Sequence, residues 1–172
     1  MKNLTKVLAI ASIFIAGSTA SFAQATATAS ASATIITPIT IAKTVDMNFG
    51  NVAVSATVAG TAVLAPAGTR TTGGSGVTLP ATTGTVAAAN FTVSGQGSYT
   101  YAITLPATCT ITDAASNTMT VNSFTSNPSA TGLLSAGGTQ TLTVGATLNV
   151  AAGQAAGVYT NATGVPVTVN YN

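Results

Sequence analysis

The 172-residue chain has no histidine, no tryptophan and a single cysteine, Cys109. Without histidine the commonest general base and metal ligand is missing, and neither a Ser–His–Asp nor a Cys–His arrangement can be assembled within one chain. Glutamate is absent as well, so the carboxylate side chains are Asp46 and Asp113 alone. A lone thiol closes no internal disulfide, which leaves sheet hydrogen bonds and packing to hold the fold even in an oxidising compartment. Aromatic residues make up 5% of the chain. They do not form the two girdles of a membrane barrel, and the lack of tryptophan weakens any sugar-stacking platform.

Charge is equally scarce. The formal charge of +2 owes everything to Lys2 and Lys6, which lie in a secretory start. The chain opens Met1-Lys2-Asn3-Leu4-Thr5-Lys6, runs through the apolar stretch Val7 to Ala16, and reaches Ser21-Phe22-Ala23. A basic start, a short apolar core and a small-x-small exit predict a signal peptide over residues 1–23 with cleavage after Ala23. The apolar stretch is too short for a retained transmembrane helix, and no cysteine follows the site to carry a lipid anchor. The mature chain, Gln24 to Asn172, then balances Lys43 and Arg70 against Asp46 and Asp113, for a net charge of zero. Nucleic acid and anionic membrane surfaces demand a dense basic patch and are poor candidates. A neutral surface gives little repulsion against self-association. The expected location is outside the cytoplasm: periplasm, cell surface or medium.

What the chain does have is alternation. From Ala25 the odd positions read Ala25, Ala27, Ala29, Ala31, Ala33 and Ile35, while the even positions through Thr34 are Thr and Ser. Period two is the signature of an extended segment with one apolar face. Ile36 and Pro38 interrupt it, and proline confines a strand to an edge, a start or a bulge. Two consecutive pieces are expected, Ala25 to Ile36 and Ile39 to Phe49. The first is apolar enough to add to a sheet and too weak to hold itself there. Residues 24–34 are therefore set apart as an N-terminal segment ahead of a domain over 35–172.

Within that domain Thr and Val are spread throughout, Gly is frequent and turn residues recur at short spacing, the rhythm of an all-β sandwich or barrel. Short strands are expected over Val52–Val58, Thr61–Ala65 and Val77–Leu79, with a Gly/Thr loop over Ala67–Gly76. Ala89, Phe91 and Val93 share one face and Tyr99, Tyr101, Ile103 and Leu105 another, with Gly95-Gln96-Gly97-Ser98 between them, which predicts a hairpin. Thr108–Thr112, the turn Asp113–Asn117 and a strand towards Phe124 follow. The cleanest strand alternates Leu142, Val144, Ala146, Leu148 and Val150 with polar or small neighbours, and Val165, Val167, Val169 and Tyr171 close the chain. Ser126–Gly132 is expected as a loop and Ala151–Gly157 as a loop or one helical turn. The sum is an immunoglobulin-like antiparallel β-sandwich of about nine or ten strands.

Several stretches then match a known family. Met47-Asn48-Phe49-Gly50-Asn51-Val52, Val63-Leu64-Ala65-Pro66-Ala67-Gly68-Thr69-Arg70 and Tyr101-Ala102-Ile103-Thr104-Leu105-Pro106 recur in that order. Leu134-Ser135-Ala136-Gly137-Gly138, Leu142 to Leu148 and a closing Val167-Thr168-Val169-Asn170-Tyr171 follow. The set resembles the secreted bacterial proteins grouped as domain of unknown function 4402, over nearly the whole mature chain. The resemblance implies an exported β-sandwich and carries no agreed activity. More loosely the domain is similar to the spore-coat-U and chaperone–usher pilin group, many members of which have a cysteine pair that this chain lacks.

The remaining reactive residues have plain structural explanations. Asp46 and Asn48 offer two oxygens where calcium needs six or more. Asp113 heads a natural turn. Gly73-Gly74-Ser75-Gly76 lacks the Lys and the following helix of a phosphate loop. Asn90-Phe91-Thr92 and Asn161-Ala162-Thr163 match a glycosylation pattern short enough to arise by chance. Tyr99 and Tyr101 share their face with Ile103 and Leu105, and Cys109 with Ile111, so both sites are expected in the core. Catalytic, cofactor-binding and metal residues are expected to be none. The expectation is a non-enzymatic structural or surface subunit, fimbria-like, whose partner is itself or another secreted β-sandwich protein. Ala25, Ala27, Ala29, Ala31, Ala33 and Ile35 are the candidate strand-addition segment, the other reading of the stretch being a disordered Thr/Ser/Ala-rich tether. The alternative is an adhesin or glycan-binding module acting through its Gly/Thr loops.

Overall fold

The structure, a computed structural model, describes residues 23–172, so the signal peptide lies outside the described residues except for Ala23. Two units separate, one ending at Thr34 and one spanning Ile35–Asn172. Described by itself, 23–34 carries no strand and is exposed throughout. The extended piece expected over Ala25–Ile36 thus forms no strand in this chain.

The second unit contains twelve strands and no helix. In order they are β1 (Thr40–Val45), β2 (Ala53–Val54), β3 (Gly60–Leu64), β4 (Arg70–Gly73), β5 (Val77–Thr78) and β6 (Ala89–Ser94). There follow β7 (Thr100–Thr104), β8 (Thr108–Thr112), β9 (Thr118–Asn127), β10 (Thr131–Leu133), β11 (Thr139–Val150) and β12 (Thr168–Tyr171). Seven of them, β1, β3, β4, β6, β8, β9 and β11, make one sheet, and β10-β7-β12 a second; β2 and β5 pair separately. All pairings are antiparallel. The fold is an antiparallel β-sandwich.

The large sheet is organised by β11. One edge of β11 pairs β6 over Thr139–Val144 and then β3 over Ala146–Val150, while the other pairs β9. Gly145 lies where the first edge changes partner. A Cβ there would run into the Leu64 carbonyl and Ala65, so glycine lets the β3–β4 turn pass close. Leu142, Val144, Ala146, Leu148 and Val150 are all buried, each Leu or Val contributing about 1.5–3 kcal/mol of burial. The alternation predicted for this strand is thus met by a face that is buried from end to end.

Two buried clusters share that face. Phe91, Val93, Tyr101, Leu134, Leu142, Val144 and Val169 fill the space between the two sheets. Ala62, Val77, Cys109, Val121, Ala146, Leu148 and Val150 form the second, towards the other end of β11.

Several expectations are corrected. The loop expected over Ser126–Gly132 is cut into at both ends by strands, β9 running to Asn127 and β10 starting at Thr131. The Phe91 and Tyr101 strands are no hairpin: β6 pairs β1 and β11, whereas β7 pairs β10 and β12. The Gly95–Ser98 turn carries the chain from one sheet across to the other. Both inner faces then meet in one core, which gives the same alternation as a hairpin. Ala67–Gly76 is not all loop, because Arg70–Gly73 forms β4 in a hairpin with β3. The last strand begins at Thr168, so Val165, Pro166 and Val167 stand outside it.

Candidate interaction groove

The second sheet is short: β10, β7 and β12 have three, five and four residues. It covers the first cluster and leaves the second beneath irregular chain, Asp46–Val52 on one side and Ala151–Val167 on the other. Between them lies a groove of 1310 Å³. Cys109 and Ile111 of β8, Met119 and Val121 of β9, and Leu148 and Val150 of β11 form its floor. Ile111 and Met119 are half-buried, although they belong to the inward face of their strands.

The margins are held by polar contacts. Arg70 donates from one guanidinium nitrogen to the carbonyls of Phe49 and Asn51, the latter at 2.8 Å. It therefore fastens the Phe49–Asn51 turn. Asn48 Oδ1 accepts the Gly50 amide at 2.8 Å, and Lys43 Nζ meets Asp46 Oδ1 at 2.5 Å on the surface. The Asn48 amide oxygen and one Asp46 carboxylate oxygen are thus engaged locally. On the opposite margin the Thr112 and Thr160 backbones exchange hydrogen bonds of 2.8 and 3.0 Å. The Asn161 amide nitrogen lies 2.7 Å from Cys109 Sγ, while Asn161 Oδ1 accepts the Thr163 amide at 2.8 Å. Cys109 is buried, as its shared face with Ile111 predicted.

Asp113 sits in the β8–β9 turn. Its Oδ1 accepts the Ala115 and Asn117 amides at 2.9 and 2.8 Å, and Asn117 Nδ2 donates to Oδ2 at 2.8 Å. The Asn117 side chain foremost, and the two amides with it, hold this carboxyl below its ordinary value. Among the described residues no three of His, Cys, Asp and Glu gather where they could hold a metal ion. Asp46 and Asp113 each have local partners and lie on different turns.

The tyrosines divide. Tyr101 is fully buried, and its hydroxyl donates to Gln140 Oε1 at 2.7 Å; burial raises its pKa. Tyr99 is 45% exposed and meets Tyr171 edge-on, with ring centroids 5.9 Å apart. The shared-face argument failed for Tyr99 because it precedes β7, where the strand's alternation does not reach.

The six candidate strand-addition residues are all solvent-exposed, Ile35 at 92%. The groove was not foreseen. Val165, Phe49 and Val52 pack against its buried floor, but alternation counts an apolar residue alike whether its strand is paired or not. The proline at 166 was the available signal that the last strand starts late.

No helix among the described residues is long and apolar enough to cross a membrane. No curated protein and no solved structure matches the chain. The sequence pattern of one family matches residues 39–171, from the start of β1 to the end of β12, and the chain belongs to that family, described as Domain of unknown function (DUF4402).

Proposed function

We propose that the mature chain is a secreted, non-enzymatic structural or surface subunit that assembles by β-strand addition. In that mode an extended peptide gains main-chain hydrogen bonds at an open sheet edge, and alternate side chains enter a groove. The observation that carries the reading is the exposed, unpaired segment with apolar residues at every second position from Ala25 to Ile35, in a chain whose sandwich leaves an apolar groove. Three further features support it. The mature chain has no net charge to oppose association, its carboxylates are engaged in local contacts, and its start reads as an export signal.

Deleting Gln24–Thr34 from the mature protein tests the reading. Light scattering and electron microscopy should then find folded monomer in place of polymer. Polymers undiminished by the deletion overturn it.

A further inference from the structure

One margin of the groove contains a stretch bonded well to itself and poorly to the sandwich. Over residues 154–164 none is buried, and only Gln154, Tyr159 and Asn161 are even half-buried. Among the described residues, the backbone hydrogen bonds that join this stretch to a strand are those of the Thr112–Thr160 pair alone. Two side chains add to that attachment. Gln154 Nε2 donates to the Thr118 carbonyl at 3.3 Å, and Asn161 Nδ2 lies 2.7 Å from Cys109 Sγ.

Inside the stretch the bonding is denser. Gln154 Nε2 also donates to the Tyr159 hydroxyl at 2.9 Å, which donates in turn to the Ala155 carbonyl at 2.8 Å. Asn161 Oδ1 accepts the Thr163 amide and hydroxyl at 2.8 and 2.7 Å, and Asn161 Nδ2 reaches the Gly164 carbonyl at 3.2 Å. A segment with few buried contacts and its own internal bonds opens as a unit at low cost, while the core it leaves stays folded.

Both ends are suited to turning. Gly153 and Gly164 have φ of +63° and +73°, a region that glycine occupies without steric cost. Next to them the chain is held. The Gly153 amide donates to the Ser55 carbonyl at 2.9 Å, and Val165 packs on the buried cluster of the groove floor. The contacts that must part lie between these two points, as they do in hinged closures, where a few terminal residues absorb the backbone change. Those contacts fall on Cys109, Thr112 and Thr118, beside Ile111 and Met119 of the floor. What the stretch closes over is therefore apolar.

We propose that residues 154–164 are a strap that swings off this end of the groove about Gly153 and Gly164, with the Thr112–Thr160 pair as its latch, so that the groove has a closed form and an open one. Access is gated in this way whether the groove receives a strand or another ligand.

Cys109 is a native reporter, since Asn161 of the strap sits on its sulfur. Dilute, monomeric mature chain is treated with N-ethylmaleimide in rising urea below its unfolding transition, and modification of Cys109 is followed by residue-resolved mass spectrometry. Strap opening exposes little surface, so the rate should rise only shallowly with urea, whereas exposure through global unfolding follows the full denaturant slope. Gln154→Ala removes one attachment without touching Cys109 and should speed modification several-fold. In the double variant Thr112→Cys/Thr160→Cys the two positions face each other across an antiparallel bridge, within disulfide reach. Its oxidation should slow modification of Cys109 about ten-fold or more. Modification that follows only the global slope overturns the strap. So does a shallow phase that neither the disulfide nor Gln154→Ala alters.

Discussion

The Tyr171 hydroxyl donates to the Thr37 carbonyl oxygen at 2.7 Å, joining positions 134 residues apart. The Tyr171 hydroxyl oxygen itself accepts from the Gln96 amide at 2.6 Å. One phenol thus ties the chain's last strand to the entry of its first and to the turn between the sheets. Tyr171→Phe leaves that amide without its partner and should cost about 1 kcal/mol. Urea denaturation measures the loss, and hydrogen exchange at the Gln96 amide should accelerate. An unchanged amide would mean that water replaces the phenol there.

Leu142 is fully buried at the centre of the first cluster, while its neighbour Thr141 is exposed. Leu142→Ala should destabilise by about 2–5 kcal/mol through lost burial and the cavity left behind. Thr141→Ala should stay within about 0.5 kcal/mol. Paired chemical denaturation of the two variants reads the contrast directly.

Gly132 stands directly across from Tyr101 in the β10–β7 pairing, and a Cβ at 132 would enter the tyrosine ring. Gly132→Ala should therefore destabilise by about 1–3 kcal/mol. Adding Tyr101→Leu should make the combined cost smaller than the sum of the two single costs, since both act on one contact. Additive costs from a double-mutant cycle would show that the clash is relieved elsewhere.

Asp113 is held ionised by Asn117 and two turn amides, so its folded pKa lies below its unfolded one. A depressed carboxylate adds stability above the unfolded pKa of about 3.9, and that stability disappears as pH falls through the folded value. Stability should thus decline below about pH 4, and the decline should be shallower in Asp113→Asn. Thermal unfolding between neutral pH and pH 2 gives the two curves. Coincident acid limbs would assign the loss to another group.

The sequence disclosed strands wherever one face was consistently buried. β11 shows the clearest alternation because the core covers it along its whole length. The same logic misjudged β6 and β7, since alternation reports which way side chains point and is silent on which backbone pairs with which. It passed over β4, whose Arg70, Thr71 and Thr72 lie half-buried or exposed and so carry no apolar period. The groove was illegible for a related reason. It arises because the second sheet stops short, and the apolar residues that would have been core there are read identically from sequence. Asp113 was legible as a turn because a short carboxylate bonding amides two and four positions ahead is a local device.

The placement of β11 has a consequence for how the molecule comes into being. Its partners β3, β6 and β9 all precede it, and the chain is about four-fifths complete before its first residue is made. As the chain emerges from its N-terminus, the β3–β4 and β8–β9 hairpins have local partners, but nothing links them. Their shared strand comes last. Folding of the large sheet is therefore a late, long-range event, slow in the manner of other non-local β topologies. A chain cut off before residue 139 would leave disconnected hairpins with open flanks instead of a smaller stable domain.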